Sequence, residues 1–429
     1  MSFLDRAIGL FSPKAEAERL YWRTVSSQAR GFDAARLDRR TKSWTATGAS
    51  ANSELLGGLD RLRFRCRDLG RNNPYAAAVY RTLPSHLVGS GITPRATGKR
   101  ATKRIRENWW KFVETSDRQH KTNFMAQLRL ACRCVVESGE VLLVWRDRDD
   151  VDAPLAVDVF EPDYLDTAKN ETRGDSTIIQ GVEFNRDGER VAYWLFDHHP
   201  GEAVVGLTRS WQSRRVDAER VDHIFDVLRP GQARGIPWLA PVALKMRDVA
   251  EYEDAELIRK KIEACFAAFV KKAGVPYSMA TGDLSDANYS SLREGKLQFW
   301  QDLDHWQWNM VVPMALAPAW GRVHRAYARL GKGPRDVPPC EWAMPARPWV
   351  DPVKDGTAAE RDLRIGRKTW PQLVAEAGWD PEEQLEEIEK WSPRAKAAGL
   401  DFGSKAAGKP SPAADDSEDD DGDMGTEDD

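Results

Sequence analysis

The stretch from His223 to Lys272 limits the possible folds most, because a glycine/proline elbow runs straight into the longest helical pattern in the chain. The elbow, Arg229-Pro230-Gly231-Gln232-Ala233-Arg234-Gly235-Ile236-Pro237, continues neither helix nor strand, since proline withholds an amide donor and glycine tolerates positive φ. From Leu239 onward, apolar residues recur at three- and four-residue steps: Val242, Met246, Val249, Ala250, Ile258, Ile262, Phe266 and Phe269. That spacing predicts one helix with one buried stripe. Lys271 and Lys272 fall in its last turn, Gly274 just past it and Pro276 beyond, which are stop signals. About 34 residues at roughly 1.5 Å rise each give a rod of about 50 Å, longer than a small-domain core requires. Lys245, Arg247, Asp248, Glu251, Glu256, Arg259, Lys260 and Glu263 occupy the other positions, so one flank carries both signs of charge.

A chain of 429 residues, 41% apolar and 30% charged, buries a sizeable core and implies two or three subdomains with an ordinary soluble composition. No apolar run approaches the roughly 20 residues of a membrane span, and the start, Met1 to Arg6, lacks the apolar core and cleavage site of a signal peptide. No membrane partner is therefore expected. Cys66, Cys132, Cys134, Cys265 and Cys340 form no paired pattern, which argues for a reducing compartment. Cys132-Arg133-Cys134 reads as two small apolar side chains rather than zinc ligands. Charge is uneven along the chain: residues 1–110 carry 21 lysines and arginines against 9 acids, while residues 415–429 carry 10 acids and no base. A basic first quarter suits nucleic acid or an acidic partner, and a solvated face equally well.

The expected organisation is an extended basic arm over 1–57, an α+β unit over 58–228 and the elbow with its long helix and a following helical region over 229–333. A proline-rich connector and small helical module follow over 334–403, and an acidic, disordered tail over 404–429. Within the α+β unit, Leu59 to Leu69 forms a helix with Leu62, Cys66 and Leu69 inward and Arg61, Arg65 and Arg67 largely outward. Asn73 caps the next helix with Pro74 at its first position, and Gly89 and Gly91 close it. Further helices fall between Arg104 and Val136, ahead of a strand over Val141 to Trp145. Leu155 to Phe160 is strand-like, Asn185 to Gly188 turns a hairpin, and Val221 to Leu228 makes a last strand into the elbow. Leu284 to Trp320 reads as helix, with Trp300, Trp306 and Trp308 on a wide aromatic face that serves a core or a subunit interface. Thr369 to Gln372 matches a capping box, and Asp380-Pro381-Glu382-Glu383 repeats the signal.

Motifs for chemistry are scarce. Phosphate-cradling glycine loops and a nucleophile elbow do not occur. Asp197-His198-His199 offers metal-ligand types, yet adjacent strand residues point to opposite faces. Glu161, Asp163 and Asp166 in EPDYLD suit a carboxylate-dependent nuclease or simply an acidic turn. Asp419-Asp420-Asp421-Gly422 is a fragment of a calcium loop with Ser417 in the first ligand position and no flanking helices. No catalytic residue, cofactor or metal is expected.

Several signatures stand in order: LRFRCRDLGRNNPYA over 62–76, Val88-Gly89-Ser90-Gly91-Ile92, Ser138-Gly139-Glu140, and His223-Ile224-Phe225 followed by Arg229 to Gly235. GDLSDANYSSLR over 282–293 then precedes Asp351-Pro352-Val353-Lys354 and Glu376-Ala377-Gly378-Trp379-Asp380. Together they resemble the lambda-type portal proteins of tailed bacteriophages over about residues 20–403. The resemblance implies an α+β subunit with an α+β wing, long stem helices, a clip region and a small crown-like helical module. It implies a non-enzymatic ring, usually a dodecamer, at one capsid vertex. Double-stranded DNA passes through it non-specifically, driven in by terminase. Capsid and scaffold proteins and the head-tail connector are the other implied partners, in the virion and, during assembly, in the host cytoplasm. On this reading Lys245, Asp248, Glu251, Glu256, Arg259, Lys260 and Glu263 flank the stem or channel. Arg229, Pro230, Gly231, Gln232, Arg234 and Gly235 aim the rod, and Trp300, Trp306 and Trp308 pack or form an interface. One departure stands out: relatives ordinarily carry several tens of residues between the equivalents of Lys272 and Gly274, where this chain has only Ala273. A prophage remnant without ring function is the alternative that this raises.

Overall fold

The structure is a computed structural model that describes residues 45–97, 103–202, 212–251, 289–349 and 351–400, with single positions at 21, 39, 42 and 43. It divides into two units, one of Met1–Asp60 with Val227–Ala233 and one of Arg61–Asp226 with Arg234–Asp429.

In the first unit the elbow is clasped by a short helix, α1 (Ala51–Leu55), which starts where the Ser50 hydroxyl accepts from the Ser53 amide. The Asn52 side chain donates to the Gly231 carbonyl at 3.0 Å and accepts from the Ala233 amide at 2.8 Å. Arg229 holds Glu54 at 2.8 Å and the Ala49 carbonyl at 3.0 Å. Gln232 folds back to accept from the Leu228 and Arg229 amides, and Gly231 sits at φ +75°, a conformation that a Cβ would strain. The arm expected to be extended thus contains a helix. Five residues are too few for apolar periodicity to reveal it.

The second unit starts from helix α2 (Leu59–Asn72), of which Arg61 onward belongs to it, and α3 (Pro74–Val88). As expected, Asn73 caps α3, accepting from the Tyr75 and Ala76 amides. Strand β1 (Thr93–Ala96), α4 (Lys103–Thr115) and α5 (Phe124–Ser138) follow. Strand β2 (Glu140–Asp147) then runs antiparallel between β3 (Leu155–Phe160) and β9 (Val221–Phe225). Because strand side chains alternate, β2 serves two cores. Val141, Leu143 and Trp145 enter the main core with α3, α4 and α5. Leu142 and Val144 enter a second core with Leu165, Val182, Tyr193 and Leu195. Burial of both faces explains the unbroken apolar run VLLVW. The second core is backed by an antiparallel meander of β4 (Glu171–Arg173), β5 (Ser176–Ile179), β6 (Val182–Phe184), β7 (Arg190–Leu195) and β8 (Arg214–Asp217). The predicted hairpin joins β6 and β7, with Asn185 accepting from the Asp187 and Glu189 amides.

Strand β9 stops at Phe225, short of the expected Leu228. The helix after the elbow, α6 (Ala243–Glu251), begins later than Leu239 because Leu239 to Val242 form turns, and Ala243 and Met246 enter the main core. The remainder of the expected rod lies outside the described residues. Helix α7 (Tyr289–Trp306) continues through a π-helical run, Gln307–Leu316, into α8 (Ala317–Arg329), well past the expected end at Trp320. Pro313 lies inside that run, and its missing amide interrupts regular α-helical bonding there. The proline-rich connector hides strand β10 (Cys340–Ala343), paired antiparallel with β1. Asp351, Thr369 with Gln372, and Asp380 start α9 (Pro352–Arg364), α10 (Trp370–Glu376) and α11 (Pro381–Ala397), the last two at the expected capping positions. The fold is α+β with a small helical C-terminal module, as the sequence predicts. No helix among the described residues is long and apolar enough to cross a membrane.

Much of the tryptophan is spent inside. Trp109 lies 5.4 Å from Trp320 and 5.7 Å from Trp342, ring centre to ring centre, while Phe112 stacks on Trp145 at 5.7 Å. His324 lies against Trp320 at 4.0 Å. It is buried and neither ring nitrogen finds a hydrogen-bond partner. Burial lowers it from 6.5 to about 4. A depressed folded value means that the unfolded chain binds the extra proton first, so the stability present at pH 7 is lost as pH falls from 6.5 to about 4. The variant His324→Phe, which removes two unsatisfied buried atoms, is expected to unfold no lower than wild type at pH 7. It should also flatten the decline in melting temperature between pH 7 and pH 5. An unchanged pH profile would refute this assignment.

Candidate functional site

Three of the sequence signatures, those over 62–76, 138–140 and 223–235, meet on one carboxylate. Glu140 opens β2 directly after Gly139, which ends α5 in a left-handed conformation at φ +93°. Its side chain is fully buried. Arg234 spans it, Nε at 2.9 Å from Oε1 and 3.2 Å from Oε2 and Nη2 at 2.7 Å from Oε1. Arg63 from α2 forms a second short ion pair with Oε1. Oε2 accepts from the Gly235 amide at 2.7 Å and lies 2.8 Å from His223 Nε2. Coulomb attraction from Arg234 first and then Arg63 offsets the cost of burial and holds the Glu140 carboxyl well below its ordinary range. Burial lowers His223 to about 4 against the opposing pull of Glu140, and the nearby Arg190 and Arg234 cations lower it further. His223 is therefore neutral and donates from Nε2.

Backbone contact closes the site from the other side. A Cβ on Gly235 would lie 2.1 Å from the Gly139 carbonyl oxygen, and one on Gly139 would lie 2.5 Å from the Ile236 carbonyl carbon. The glycines of the SGE and ARG signatures are thus required by each other. Arg234 also donates through Nη1 to the Gln180 carbonyl at 2.6 Å, where Gln180 holds a left-handed φ of +48° that costs a non-glycine residue energy. Sequence reading marked Arg234, Gly235, Glu140 and His223 within motifs. Arg63 also lies within a quoted signature, 62–76, but nothing in its local sequence gave it a buried partner, although it lies three residues before the buried Cys66.

Arg67, expected to face outward, is turned in. It donates to Ser138 Oγ at 2.9 Å and pairs with Asp163 at 2.5 Å and Glu161 at 3.5 Å, because an unpaired Asp163 would be costly at that depth. His199 approaches Glu161 at 3.2 Å while its Nδ1 accepts from the Gly201 amide. Glu161, Asp163 and His199 are close enough to share a cation, but the Arg67 guanidinium already bridges the two carboxylates. Asp166, grouped with them in the sequence, instead accepts from Ser213 at 2.6 Å, and Asp197 pairs with Arg214. Cys132 and Cys134 are thiols raised to about 12, chiefly by burial.

Of the proposed stem residues, Lys245 and Asp248 are exposed on α6. Glu251 ends that helix, and Glu256, Arg259, Lys260 and Glu263 lie outside the described residues. Trp306 packs on Trp238 at 4.5 Å, and Trp300 is half-buried beneath Arg347. Trp308 is 49% exposed.

Loss of charge at the centre is expected to be severe. Glu140→Gln leaves two buried arginines uncompensated and should lower stability by about 3–5 kcal/mol, measured as a shift in chemical denaturation. Glu161→Gln, at a half-exposed partner, should cost less than about 1 kcal/mol. Equal shifts would refute the hub.

The family described as phage portal protein, lambda family, matches residues 37–274. A probable portal protein of Halomonas phage phiHAP-1 is 24% identical, with 86% of this chain and 88% of the relative covered. Its alignment runs over 463 positions, more than the 429 residues here, so the relative carries residues that this chain lacks. Portal protein B of Escherichia phage lambda is 25% identical over 54% of this chain and 46% of its own length. Among solved structures, a subunit from the neck of a native GTA particle computed with C12 symmetry aligns with a TM-score of 0.40 at 11% identity, covering 74% of this chain and 94% of that one.

Proposed function

The chain belongs to the lambda family of phage portal proteins, and from that premise we propose that copies of it assemble into the ring through which a phage genome enters and leaves the head. The family match across more than half of the chain carries this reading. The convergence of three of its signatures on Glu140 supports it, because those motifs are then parts of one subunit framework.

On this reading terminase docks on the ring during packaging, capsid and scaffold proteins surround it, and a head-tail connector joins it afterwards. The ring resides at a capsid vertex of the virion after assembly in the host cytoplasm. Its work is mechanical and not enzymatic. Residues 58–228 form the wing, 229–333 the elbow, stem and clip, and 334–403 the crown-like module. The stem flank of Lys245, Asp248, Glu251, Glu256, Arg259, Lys260 and Glu263 carries both signs, which suits a conduit: duplex DNA presents one charge per roughly 1.7 Å, and a purely basic wall would hold it fast.

Mass photometry of the purified full chain with negative-stain imaging is the direct test. Closed rings of about twelve copies are expected. A chain that stays monomeric at every concentration and salt condition would defeat the portal reading and favour a remnant without ring function.

A further inference from the structure

The helical module over 351–400 has almost no interior of its own. Neither α9 nor α10 has a buried residue, and α11 buries only Pro381. Its apolar side chains are turned outward instead. Leu385, Ile388 and Trp391 recur every third residue on α11 and are 48%, 44% and 52% exposed. The acidic start of the same helix faces the body: Arg106 on α4 lies 3.5 Å from Asp380, 3.7 Å from Glu383 and 3.2 Å from Glu386. Helical stability comes mostly from packing an apolar face, so a helix that spends its polar side on its own subunit and leaves its stripe in water forms half of a contact.

A second exposed apolar surface lies elsewhere on the same chain. Trp308 and Trp349, 49% and 58% exposed, stand with Trp300, Met344 and Pro345 around an open groove of about 840 Å³, and no residue of the stripe lines it. Charges on its rim are already matched, Arg347 with Asp304 and Lys368 with Glu376. An apolar occupant would therefore strand no unpaired ion there. The acidic tail is a poor occupant for the stripe. Glu382, Glu386, Glu387 and Glu389 flank the stripe, and residues 415–429 hold 10 acids and no base, so like charges repel.

We infer that a second copy of this chain seats its Leu385–Ile388–Trp391 stripe in the tryptophan groove. This rests on the ring reading above: closed rings are built from heterologous contacts, a patch on one copy meeting a different patch on the next. Stripe and groove share no residue, as such a contact requires, and tryptophan at its centre is the residue type that carries interface energy.

The full-length chain tests this in three variants beside wild type. Leu385→Ser/Ile388→Ser and Trp308→Ser each remove exposed apolar groups. Each is expected to raise the concentration for half-assembly by about tenfold or more in mass photometry, with the monomer's circular dichroism unchanged. Ile388→Cys/Trp308→Cys should give a reducible ladder of oligomers that neither single cysteine variant gives. If wild type forms rings while the serine variants assemble equally well, or the double cysteine variant gives no ladder, the inference falls and the ring reading stands. A wild-type chain that forms no ring removes both.

Discussion

A carboxylate placed where water cannot reach it dictates the arrangement of this subunit. Glu140 must be compensated, and the groups that compensate it come from three places far apart in sequence: Arg63 on α2, His223 on β9, and Arg234 with the Gly235 amide at the exit of the elbow. Burying so many charges contributes little net stability compared with an apolar core, but losing any one partner is expensive. The arrangement therefore acts as a specification. Arg234 and Gly235 are thereby fixed against the start of β2, eight residues before α6 begins at Ala243.

Local signals in the chain were the most legible. Asn73, Thr369 with Gln372, and Asp380 cap the helices they were expected to cap, because a cap is written within four residues. The apolar run of β2 and the turn at Asn185 were readable for the same reason. What escaped reading depends on partners distant in sequence. Arg63 and Arg67 look like solvated charges until β2 and the Glu161–Asp163 turn are placed beside them. Strand β10 is four residues in a proline-rich connector, and only its pairing with β1 defines it. Asp222 is likewise made sense of only by Arg322 and the Trp145 indole, which both donate to it.

The tryptophans divide between two environments. Trp109, Trp145, Trp320 and Trp342 close the main core, where their bulk fills the space between α4, the three-stranded sheet and α8. Trp308, Trp349, Trp379 and Trp391 are about half exposed or more, all in the second half of the chain. The chain thus folds around one set and leaves the other in water, where the proposed contact between copies would use it.

Strand β2 belongs to both cores at once, odd-numbered side chains to one and even-numbered to the other. Its length is thereby fixed in parity. Adding or removing a single residue anywhere between Val141 and Trp145 would exchange the contents of the two interiors and shift everything downstream relative to the Glu140 hub. A change by two would preserve the faces while altering the reach of the strand. The subunit therefore counts residues in pairs along its central strand, and inheritance of insertions in this family should respect that arithmetic.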